Sequence, residues 1–325
     1  MSHRRLLVLS LGGTITMLPA ATGGIAPTLG AADLVNAVPA LGDVADIVAE
    51  SPARLPSPSL RPGHLVQVAR RIEEGFAAGM DGAVVIQGTD TIEESAFILD
   101  LLVGGDRPVV VTGAMRGADA PGADGPANLL AAARVAASDE ATGLGTLVVL
   151  NDEIHAARFV QKTSTTLPST FASPLAGPLG LVAEGRPRIL GRVARLPVLS
   201  AAAGAPPEIA LIRWAMGEDG RMLAVLPGLG YAGAVIEGMG AGHVPADAAQ
   251  AIEDLATRIP VVLASRSAAG PVFTETYGYP GGEIDLIRRG AIPAGMLSGL
   301  KARLLLGLAL RGGAGTAAAA FAPYQ

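Results

Sequence analysis

Apolar and polar residues follow two patterns along the first half of the chain. Short unbroken apolar runs, typical of strands buried in a parallel sheet, alternate with longer segments in which apolar residues recur at helical spacing. The runs predict strands at Leu6–Leu11, Ala45–Glu50, Ala83–Ile86, Pro108–Thr112 and Leu144–Leu150. The longer segments predict helices at Asp33–Val38, Leu65–Ala78, Ile92–Leu102 and Ala127–Ala137. This order indicates an α/β domain with a doubly wound, mainly parallel sheet.

The pattern changes twice further along the chain. Ser164–Arg195 loses the alternation and is expected to form loops and short antiparallel pieces, and the stretch after it, rich in Pro, Ala and Gly, has no periodicity. We therefore predict an N-terminal domain at residues 1–195, a linker at 196–208 and a smaller C-terminal α/β domain at 209–325. The C-terminal domain is predicted to contain strands Ile209–Ile212, Ala232–Ile236 and Val261–Ala264 and helices Ala246–Thr257 and Gly299–Leu310.

The composition supports a large core and excludes some classes of function. Hydrophobic residues make up 50% of the 325 positions and charged residues 16%, which is enough apolar surface for two domains. The net charge is −5 and the basic residues are scattered, so nucleic acid is not an expected partner. The chain has no cysteine, which excludes disulfides and thiolate chemistry.

The N-terminal segment MSHRRLLVLSLGG has a basic pair before an apolar run, as a signal peptide does. The run is too short and no cleavage pattern follows it, so we interpret the segment as the first strand. No stretch reaches the roughly 20 apolar residues that are needed to span a bilayer. We therefore expect no membrane association and a cytoplasmic location.

Two segments at predicted strand ends carry the candidate chemistry. In Leu6–Met17 (LLVLSLGGTITM) and Ala83–Ala96 (AVVIQGTDTIEESA), an aliphatic run stops at glycine and a threonine follows. In the second segment Asp90 comes directly after Thr89. Open α/β sheets bind their ligands at the carboxyl ends of the strands, so a hydroxyl beside a carboxylate at this point indicates a reactive site.

The sequence QGTDTIEESA resembles the HGTDTMEETA signature of the bacterial-type L-asparaginase and glutaminase-asparaginase family, and LGGTIT resembles that family's TGGTIA signature. Ala114–Arg116 with Asp124–Leu129, Gln161–Thr166 and Ser265–Gly270 are also similar to family motifs. The resemblance implies hydrolysis of side-chain amides through a threonine nucleophile, with a larger N-terminal and a smaller C-terminal domain. It also implies a homodimer or homotetramer in which the neighbouring subunit's C-terminal domain completes each site.

One of the family's two proposed triads is present as Thr89, Asp90 and Lys162. The resemblance implies that Thr89 attacks the amide, that Lys162 takes the proton and that Asp90 orients the substrate. A lysine acts as a base only where burial or a nearby charge lowers its pKa. By residue type alone, Thr89 and Asp90 are also good N-caps for the helix that begins near Thr91, and capping is compatible with catalysis.

The family's other triad, which consists of Thr, Tyr and Glu, lacks two of its members here. Its threonine, usually the nucleophile, falls on Leu11, and the lid segment expected at Met17–Pro27 contains no tyrosine. An aliphatic side chain cannot attack a carbonyl. The nearby hydroxyls are Ser10, Thr14 and Thr16, and we expect all three to be structural, since Ser10 should point to the opposite face of its strand from Leu11.

The resemblance also implies a set of substrate-binding residues. Ser57 matches the serine that binds the substrate's α-carboxylate, and Ser59 lies in the same segment. Pro56 and Pro58 flank Ser57 and remove two backbone donors. The remaining expected positions are Gly12, Gly13, Gly88 and Ala114, whose backbone would shape the pocket, and Glu275 or Glu283, one of which would reach the neighbouring subunit.

We expect neither a metal nor a cofactor. The histidines, His3, His64, His155 and His243, are far apart in sequence, and no cysteine or HExxH motif accompanies them. A glycine-rich turn at Glu237–Gly242 lacks the full spacing of a dinucleotide-binding loop.

The sequence thus predicts an asparaginase-like amidohydrolase that cleaves a side-chain or related amide C–N bond of a small, amino-acid-like substrate. Two alternatives stay open. If Leu11 fills part of the pocket, the substrate is a cyclic amide, a lactone or an N-substituted amide. If the missing threonine and tyrosine abolish hydrolysis, the protein is a non-hydrolytic small-molecule binder, against which the complete set of Thr89, Asp90 and Lys162 argues. Nucleotide binding has only the fold in its favour.

Overall fold

The computed structural model of the protein describes residues 3–19, 25–199 and 206–325. Contacts between Cα atoms divide the chain into two units, Met1–Ala201 and Ala202–Gln325. Both units consist of a sheet covered by helices, which confirms the predicted α/β class. The domain boundaries at 195 and 208 stay predictions, and the part of the predicted linker at 200–205 lies outside the described residues.

The first unit contains every strand and helix that the sequence predicts for it. Its strands are β1 (Arg5–Ser10), β2 (Met17–Pro19), β3 (Ile25–Pro27), β4 (Asp46–Glu50), β5 (Gly82–Ile86), β6 (Val109–Thr112), β7 (Thr146–Leu150), β8 (Glu153–Ala156), β9 (Gln161–Lys162), β10 (Phe171–Ala172), β11 (Gly180–Ala183) and β12 (Arg186–Ile189). Its helices are α1 (Ala31–Asn36), α2 (Pro62–Ala77), α3 (Ile92–Leu102) and α4 (Gly125–Ala136). Short 3₁₀ turns at Ser57–Ser59 and Thr89–Thr91 matter for the site.

Within the described residues, eight strands of this unit form one sheet in the order β12-β11-β8-β7-β6-β5-β1-β4. β4, β1, β5, β6 and β7 run parallel, whereas β8, β11 and β12 extend one edge in antiparallel pairs. The prediction missed β8 because Asn151 and Asp152, the two residues between β7 and β8, adopt the left-handed conformation without any glycine. Such a tight turn has a weak sequence signal when glycine is absent.

Helices cover both faces of the parallel strands. Leu6 and Val8 of β1 belong to the same core cluster as Leu129 of α4. On the other face, a Cβ at Gly75 of α2 would lie 2.9 Å from Leu7, so this helix packs closely against the strand. The arrangement leaves the carboxyl ends of β1, β5 and β6 at one edge of the sheet, where their loops begin.

The segment after β1 was expected to form a lid. Its described ends, β2 and β3, pair in antiparallel register and form a hairpin. The middle of the predicted lid, residues 20–24, lies outside the described part of the chain.

The second unit is built on a smaller parallel sheet. It contains strands β13 (Ile209–Arg213), β14 (Gly233–Gly238), β15 (Val261–Ser265) and β16 (Ile292–Pro293) and helices α5 (Ala249–Ala256), α6 (Glu283–Arg288), α7 (Gly299–Ala309) and α8 (Ala317–Phe321). The predicted helix at Ala246–Thr257 begins as a 3₁₀ turn and becomes α-helical only at Ala249. The sequence analysis missed β16, because two residues are too short to show a period, and α6, because it directly follows a stretch rich in glycine and proline that reads as a loop.

A buried histidine makes the first unit sensitive to acid. The Nδ1 atom of His155, in β8, lies 3.0 Å from the hydroxyl of Ser173. Its Nε2 atom is 3.3 Å from a carboxylate oxygen of Glu153, but the two atoms are not aligned for a hydrogen bond. Burial lowers the pKa of His155 below 6.5, and the Glu153 carboxylate offsets only part of this effect.

We predict that stability falls as the pH drops below about 6.5, because the unfolded chain then binds a proton at His155 that the folded protein does not. The free energy of unfolding falls as the pH drops from the ordinary histidine pKa to the lower pKa of His155 in the folded protein. The slope is at most about 1.4 kcal/mol per pH unit. Urea unfolding at about pH 7.5 and about pH 5.5 measures it. His155→Gln should shrink the pH-dependent loss, and an equal loss in wild type and variant would contradict the prediction.

Gly13 provides a second test of the fold. Its φ is +95°, and a Cβ at this position would lie 2.0 Å from the backbone nitrogen of Gly88. We predict that Gly13→Ala lowers the free energy of unfolding by about 3 kcal/mol or more, because both the strain and the clash fall on backbone atoms. Gly42→Ala is the matched control, since a Cβ there meets nothing within 4 Å. Urea unfolding measures both variants. If Gly13→Ala lowers the free energy of unfolding no more than Gly42→Ala does, the close approach of backbone at Gly13 does not constrain the fold.

Candidate active site

The loops that follow β1, β5 and β6 lie against one another at the carboxyl edge of the sheet. The backbone N–H of Leu11 donates to Ile86 O at 2.8 Å, and that of Gln87 donates to Thr112 O at 3.1 Å. A Cβ at Gly113 would lie 3.4 Å from Cγ2 of Thr89. The candidate residues predicted from separate motifs are therefore neighbours, as the general rule for open α/β sheets requires.

Thr89, Asp90 and Lys162 form one cluster. The Nζ atom of Lys162 donates hydrogen bonds to Oγ1 of Thr89 at 2.9 Å and to Oδ1 of Asp90 at 2.7 Å. Thr89 is only 6% exposed, whereas the Asp90 side chain is 59% exposed. The ammonium group thus bridges a buried hydroxyl and a carboxylate that stays open to solvent.

The capping alternative for Thr89 and Asp90 does not hold. The N-cap of α3 is Thr91, and the N-cap of the preceding 3₁₀ turn is Gly88; neither makes a side-chain capping bond. The hydroxyl of Thr91 instead donates to Ser57 O at 3.3 Å. The side chains of Thr89 and Asp90 are therefore engaged by Lys162 rather than by the helix backbone.

Lys162 is held in place by residues that the sequence analysis did not single out. It lies in β9, paired with Phe171 of β10, and its backbone N–H lies 3.5 Å from Oε1 of the buried Glu93. Just beyond it, the buried Thr170 accepts a hydrogen bond from the backbone N–H of Ser164 and donates one to the Ser164 carbonyl. These two hydrogen bonds between Ser164 and Thr170 hold the chain next to the strand from which Lys162 projects.

The sequence does contain a signal for Lys162 apart from its motif. Of the 24 lysines and arginines, only Lys162 and Lys301 are lysines. In a chain that uses arginine almost everywhere, a lysine within a motif stands out as a candidate base. Arginine cannot serve as a base in proteins, whereas lysine can.

Ser57 lies beside the cluster, and Ser59 does not. Ser57 is buried, and a Cβ at Gly88 would come within 2.6 Å of its Oγ atom, so the serine packs directly against the residue before Thr89. Ser59 is exposed at the other end of the same 3₁₀ turn. Of the two serines, Ser57 is the one the structure brings to the site.

Leu11 is a packing residue whose backbone ties the turn after β1 to β5 and to Leu55. Its side chain is 1% exposed, its N–H bonds β5, and its carbonyl accepts from Leu55 N at 2.9 Å. Gly12, with φ +109°, approaches the Leu55 carbonyl so closely that a Cβ would lie 2.5 Å from it. Ala114, on the loop after β6, is fully buried.

The other hydroxyls near β1 are engaged or buried. The Oγ1 atom of Thr16 donates to Gly13 O at 2.7 Å and is completely buried. Ser10 is buried at the end of β1, and Thr14 is half-buried at the start of a 3₁₀ turn. Thr16 is thus tied to the backbone of the turn, which agrees with a structural role.

The turn on which Thr89 lies has unpaired polar groups. In the described part of the chain, the N–H groups of Gly88 and Thr89 have no hydrogen-bond acceptor. Gln87 donates through Nε2 to Gly88 O at 3.3 Å and to Thr91 Oγ1 at 3.2 Å, while its buried Oε1 has no partner among the described residues. The turn therefore offers donors that a bound carbonyl oxygen can use.

A carboxylate and an amide support the loop after β6. Asp124 accepts hydrogen bonds from the backbone N–H groups of Met115 and Arg116, both at 2.9 Å. The side chain of Asn128 donates to Gly113 O at 3.0 Å. These contacts explain why the motif pairs an Ala-Met-Arg stretch with an Asp-Gly-Pro stretch.

The two glutamates expected to reach a neighbouring subunit lie in the second unit and differ in exposure. Glu283 is completely buried and accepts from the backbone N–H groups of Thr276 at 2.9 Å and Tyr277 at 2.6 Å. It therefore does not project from its unit, contrary to the sequence-based expectation. Glu275 is exposed.

No group of three or more His, Cys, Asp and Glu side chains in the described ranges is placed to hold a metal ion. No helix in these ranges is both long and apolar enough to cross a membrane.

Known proteins resemble the whole chain. The family model "Asparaginase, N-terminal" matches residues 5–195, and "Glutaminase/Asparaginase C-terminal domain" matches residues 208–320. A probable L-asparaginase of Deinococcus radiodurans is 39% identical over 95% of this chain and 94% of its own length. L-asparaginase 2 of Escherichia coli is 33% identical over 93% and 88% of the two chains.

A solved structure agrees with these relatives. The crystal structure of a probable cytoplasmic L-asparaginase from Campylobacter jejuni superposes with a TM-score of 0.87 at 32% identity, covering 98% of this chain and 99% of that one. Both units of the chain and its full length are thus accounted for. The chain belongs to the asparaginase family, whose members are hydrolases of amide C–N bonds.

Proposed function

We propose that the protein hydrolyses the side-chain amide of a small amino acid such as L-asparagine, with Thr89 as the nucleophile and Lys162 as its base. The observation that carries the proposal is the pair of hydrogen bonds from Lys162 Nζ to Thr89 Oγ1 and Asp90 Oδ1. A hydroxyl is a weak nucleophile until a neighbouring group takes its proton. Lys162 is the basic side chain in contact with Thr89.

The first half of the reaction forms an acyl-enzyme. Lys162, once its ammonium group has released a proton to water, accepts the proton of Thr89 as Oγ1 attacks the amide carbon, and the carbonyl oxygen becomes an oxyanion. The free N–H groups of Gly88 and Thr89 stabilise that charge. Lys162 then returns the proton to the leaving nitrogen, the C–N bond breaks, and ammonia departs.

The second half restores the enzyme. Water attacks the ester formed on Thr89, and Lys162 takes a proton from the water. The same ammonium group then protonates Oγ1 of Thr89 as the ester C–O bond breaks. Because one group acts as base and then as acid in both halves, its contact with Thr89 is needed throughout.

Charge and position suit an amino-acid substrate. The exposed Asp90 carboxylate has one oxygen on Lys162 and is open to a substrate's α-ammonium group on the solvent side. The Ser57 hydroxyl, which lies beside Gly88, is our candidate to bind the α-carboxylate. Glu275 remains our candidate for a group supplied by a neighbouring subunit in a homodimer or homotetramer.

The relatives agree with this substrate class. Those at 30–42% identity include proteins named L-asparaginase and one named L-asparaginase 2 from Bacillus subtilis. A cytoplasmic location, also expected from the sequence, is supported by the name of the Campylobacter jejuni protein.

Thr89→Val is the direct test. We predict that it lowers kcat for ammonia release from L-asparagine or L-glutamine by about 10³-fold or more, because it removes the attacking oxygen and keeps the volume. Lys162→Met should cost a similar factor, and the double variant little more, because residues that act as a unit are not additive. The exposed Thr165→Val is the matched control. Retention of about a tenth of the wild-type kcat in Thr89→Val would contradict the assignment.

Leu11→Thr tests whether the family's first threonine is needed. If Thr89 is the nucleophile, the wild type is active and Leu11→Thr changes kcat by no more than about tenfold. Leu11→Val is the control, because valine leaves the same space as threonine without a hydroxyl. An inactive wild type with activity gained in Leu11→Thr but not in Leu11→Val would sink the proposal. Turnover would then be sought with cyclic amides and lactones.

A further inference from the structure

Two side-chain hydrogen bonds connect the turn that carries Thr89 with the turn that carries Ser57. The Nε2 atom of Gln87 donates to Oγ1 of Thr91 at 3.2 Å, and Thr91 Oγ1 donates to the carbonyl oxygen of Ser57 at 3.3 Å. Gln87 is completely buried and Thr91 is half-buried. Neither side chain has a part in the reaction steps proposed for Thr89.

The direction of both hydrogen bonds follows from the groups that make them. The Ser57 carbonyl can only accept, so the Thr91 hydroxyl uses its one proton there and must accept from Gln87. The amide nitrogen of Gln87 therefore faces Thr91, and its buried oxygen is left without a partner among the described residues. An unpaired buried acceptor lowers stability, so this orientation indicates a role other than stabilising the fold.

The bond from Thr91 is the link between the two turns. In the described part of the chain, no other hydrogen bond joins the turn Ser57–Ser59 to the turn Thr89–Thr91. Pro58 cannot supply a further one, because its nitrogen carries no hydrogen. The position of the Ser57 main chain relative to the Thr89 turn thus depends on the Thr91 hydroxyl.

The Ser57 hydroxyl is available to a ligand. The residue is 3% exposed, and a Cβ at Gly88 would come within 2.6 Å of its Oγ atom. Among the described residues, this hydroxyl has no hydrogen-bond partner. Because Gly88 directly precedes Thr89, a shift of the Ser57 main chain changes the distance between the two hydroxyls. That distance decides which substrates can place a carboxylate on Ser57 and an amide on Thr89 at the same time.

We propose that Thr91 is a positioning residue that selects substrates with an α-carboxylate, because it holds the Ser57 hydroxyl at the required distance from Thr89. Gln87 orients the Thr91 hydroxyl for this contact. The inference rests on the proposed amidohydrolase function and adds to it the residues that determine its specificity. Thr91 acts through Ser57 and is not a catalytic residue.

The Thr91 hydroxyl can be removed without loss of another role. Thr91 is the N-cap of α3 but makes no side-chain capping bond, so the helix does not depend on its hydroxyl. The side chain carries no charge, and valine has nearly the same shape. Thr91→Val therefore removes only the hydrogen bonds with Ser57 and Gln87.

The experiment compares L-asparagine with 3-aminopropanamide, which is L-asparagine without its α-carboxylate, on the full chain. We expect Thr91→Val to raise KM for L-asparagine about fivefold or more, as the loss of one hydrogen bond does, and to leave kcat within about twofold. For 3-aminopropanamide, kcat/KM should stay within about twofold of the wild type, since this substrate has no carboxylate for Ser57 to bind.

Three further variants make the comparison specific. Thr91→Ser keeps the hydroxyl and should restore the wild-type KM. Gln87→Met keeps the side-chain length but removes the donor, and should raise KM for L-asparagine by at least about twofold. Thr257→Val is the matched control, because it removes a hydroxyl that donates to a main-chain carbonyl at 2.8 Å at the end of α5 in the second unit.

Ser57→Ala shows whether Thr91 acts through Ser57. It should raise KM for L-asparagine at least as much as Thr91→Val, and the double variant should be no worse, because no hydroxyl is then left to position. A further rise of about fivefold in the double variant, or equal rises of KM for both amides, would overturn the proposal. Ammonia release that still depends on Thr89 would then leave the amidohydrolase proposal intact.

Binding decides the role of Thr91 if the wild type releases no ammonia from either amide, a result that contradicts the amidohydrolase proposal. Calorimetry then compares L-aspartate with β-alanine, which is L-aspartate without its α-carboxylate. Thr91→Val should raise the Kd of L-aspartate about fivefold or more and that of β-alanine by less than about twofold. Equal changes in both, or no binding of L-aspartate to the wild type, would overturn the positioning role.

Discussion

The site depends on one ammonium group that is shared between two oxygens. Lys162 Nζ holds Thr89 Oγ1 at 2.9 Å and Asp90 Oδ1 at 2.7 Å. This contact joins residues more than seventy positions apart in sequence and connects the turn after β5 to a two-residue strand outside the main sheet. The other parts of the site, namely the hydrogen bonds of Thr170, the Glu93 contact and the backbone N–H of Gly88, lie around this group and the Thr89 hydroxyl.

The backbone makes this contact possible through close approach. At Gly13 and Gly88 the chain after β1 comes nearer to the chain after β5 than any side chain would allow. Leu11 ties the same two segments together through its N–H and carbonyl groups. Its side chain is buried, so this position serves as a structural support.

Much of the fold was readable from the sequence, for physical reasons. Buried parallel strands are continuous apolar runs, so β1, β5, β6 and β7 stood out, and the helices between them showed a clear period. β8 and α6 did not, because β8 follows a turn without glycine and α6 directly follows a stretch rich in glycine and proline. Short elements that are fixed by tertiary contacts carry little local signal.

The site was predictable only where motifs named its residues. Thr89, Asp90, Lys162 and Ser57 came from motif matches, and the structure brings them together. Glu93 was missed because its contact with the backbone of Lys162 spans 69 positions, which no local pattern records. Thr170 was missed because no motif named it, although its partner Ser164 is only six positions away. The burial of Glu283 was missed for a similar reason, since its partners are backbone N–H groups.

The most direct test of the central claim is to trap the nucleophile with a diazo-ketone analogue of the amide substrate, which alkylates the attacking oxygen, and to map the adduct. The tryptic peptide Ile72–Arg116 contains Thr89, because trypsin does not cleave between Arg107 and Pro108, whereas Leu6–Arg54 contains Ser10, Thr14 and Thr16. The account predicts an adduct on Thr89, absent in Lys162→Met. An adduct on Leu6–Arg54 would show that a hydroxyl near Leu11 has taken over the attack, and would contradict it.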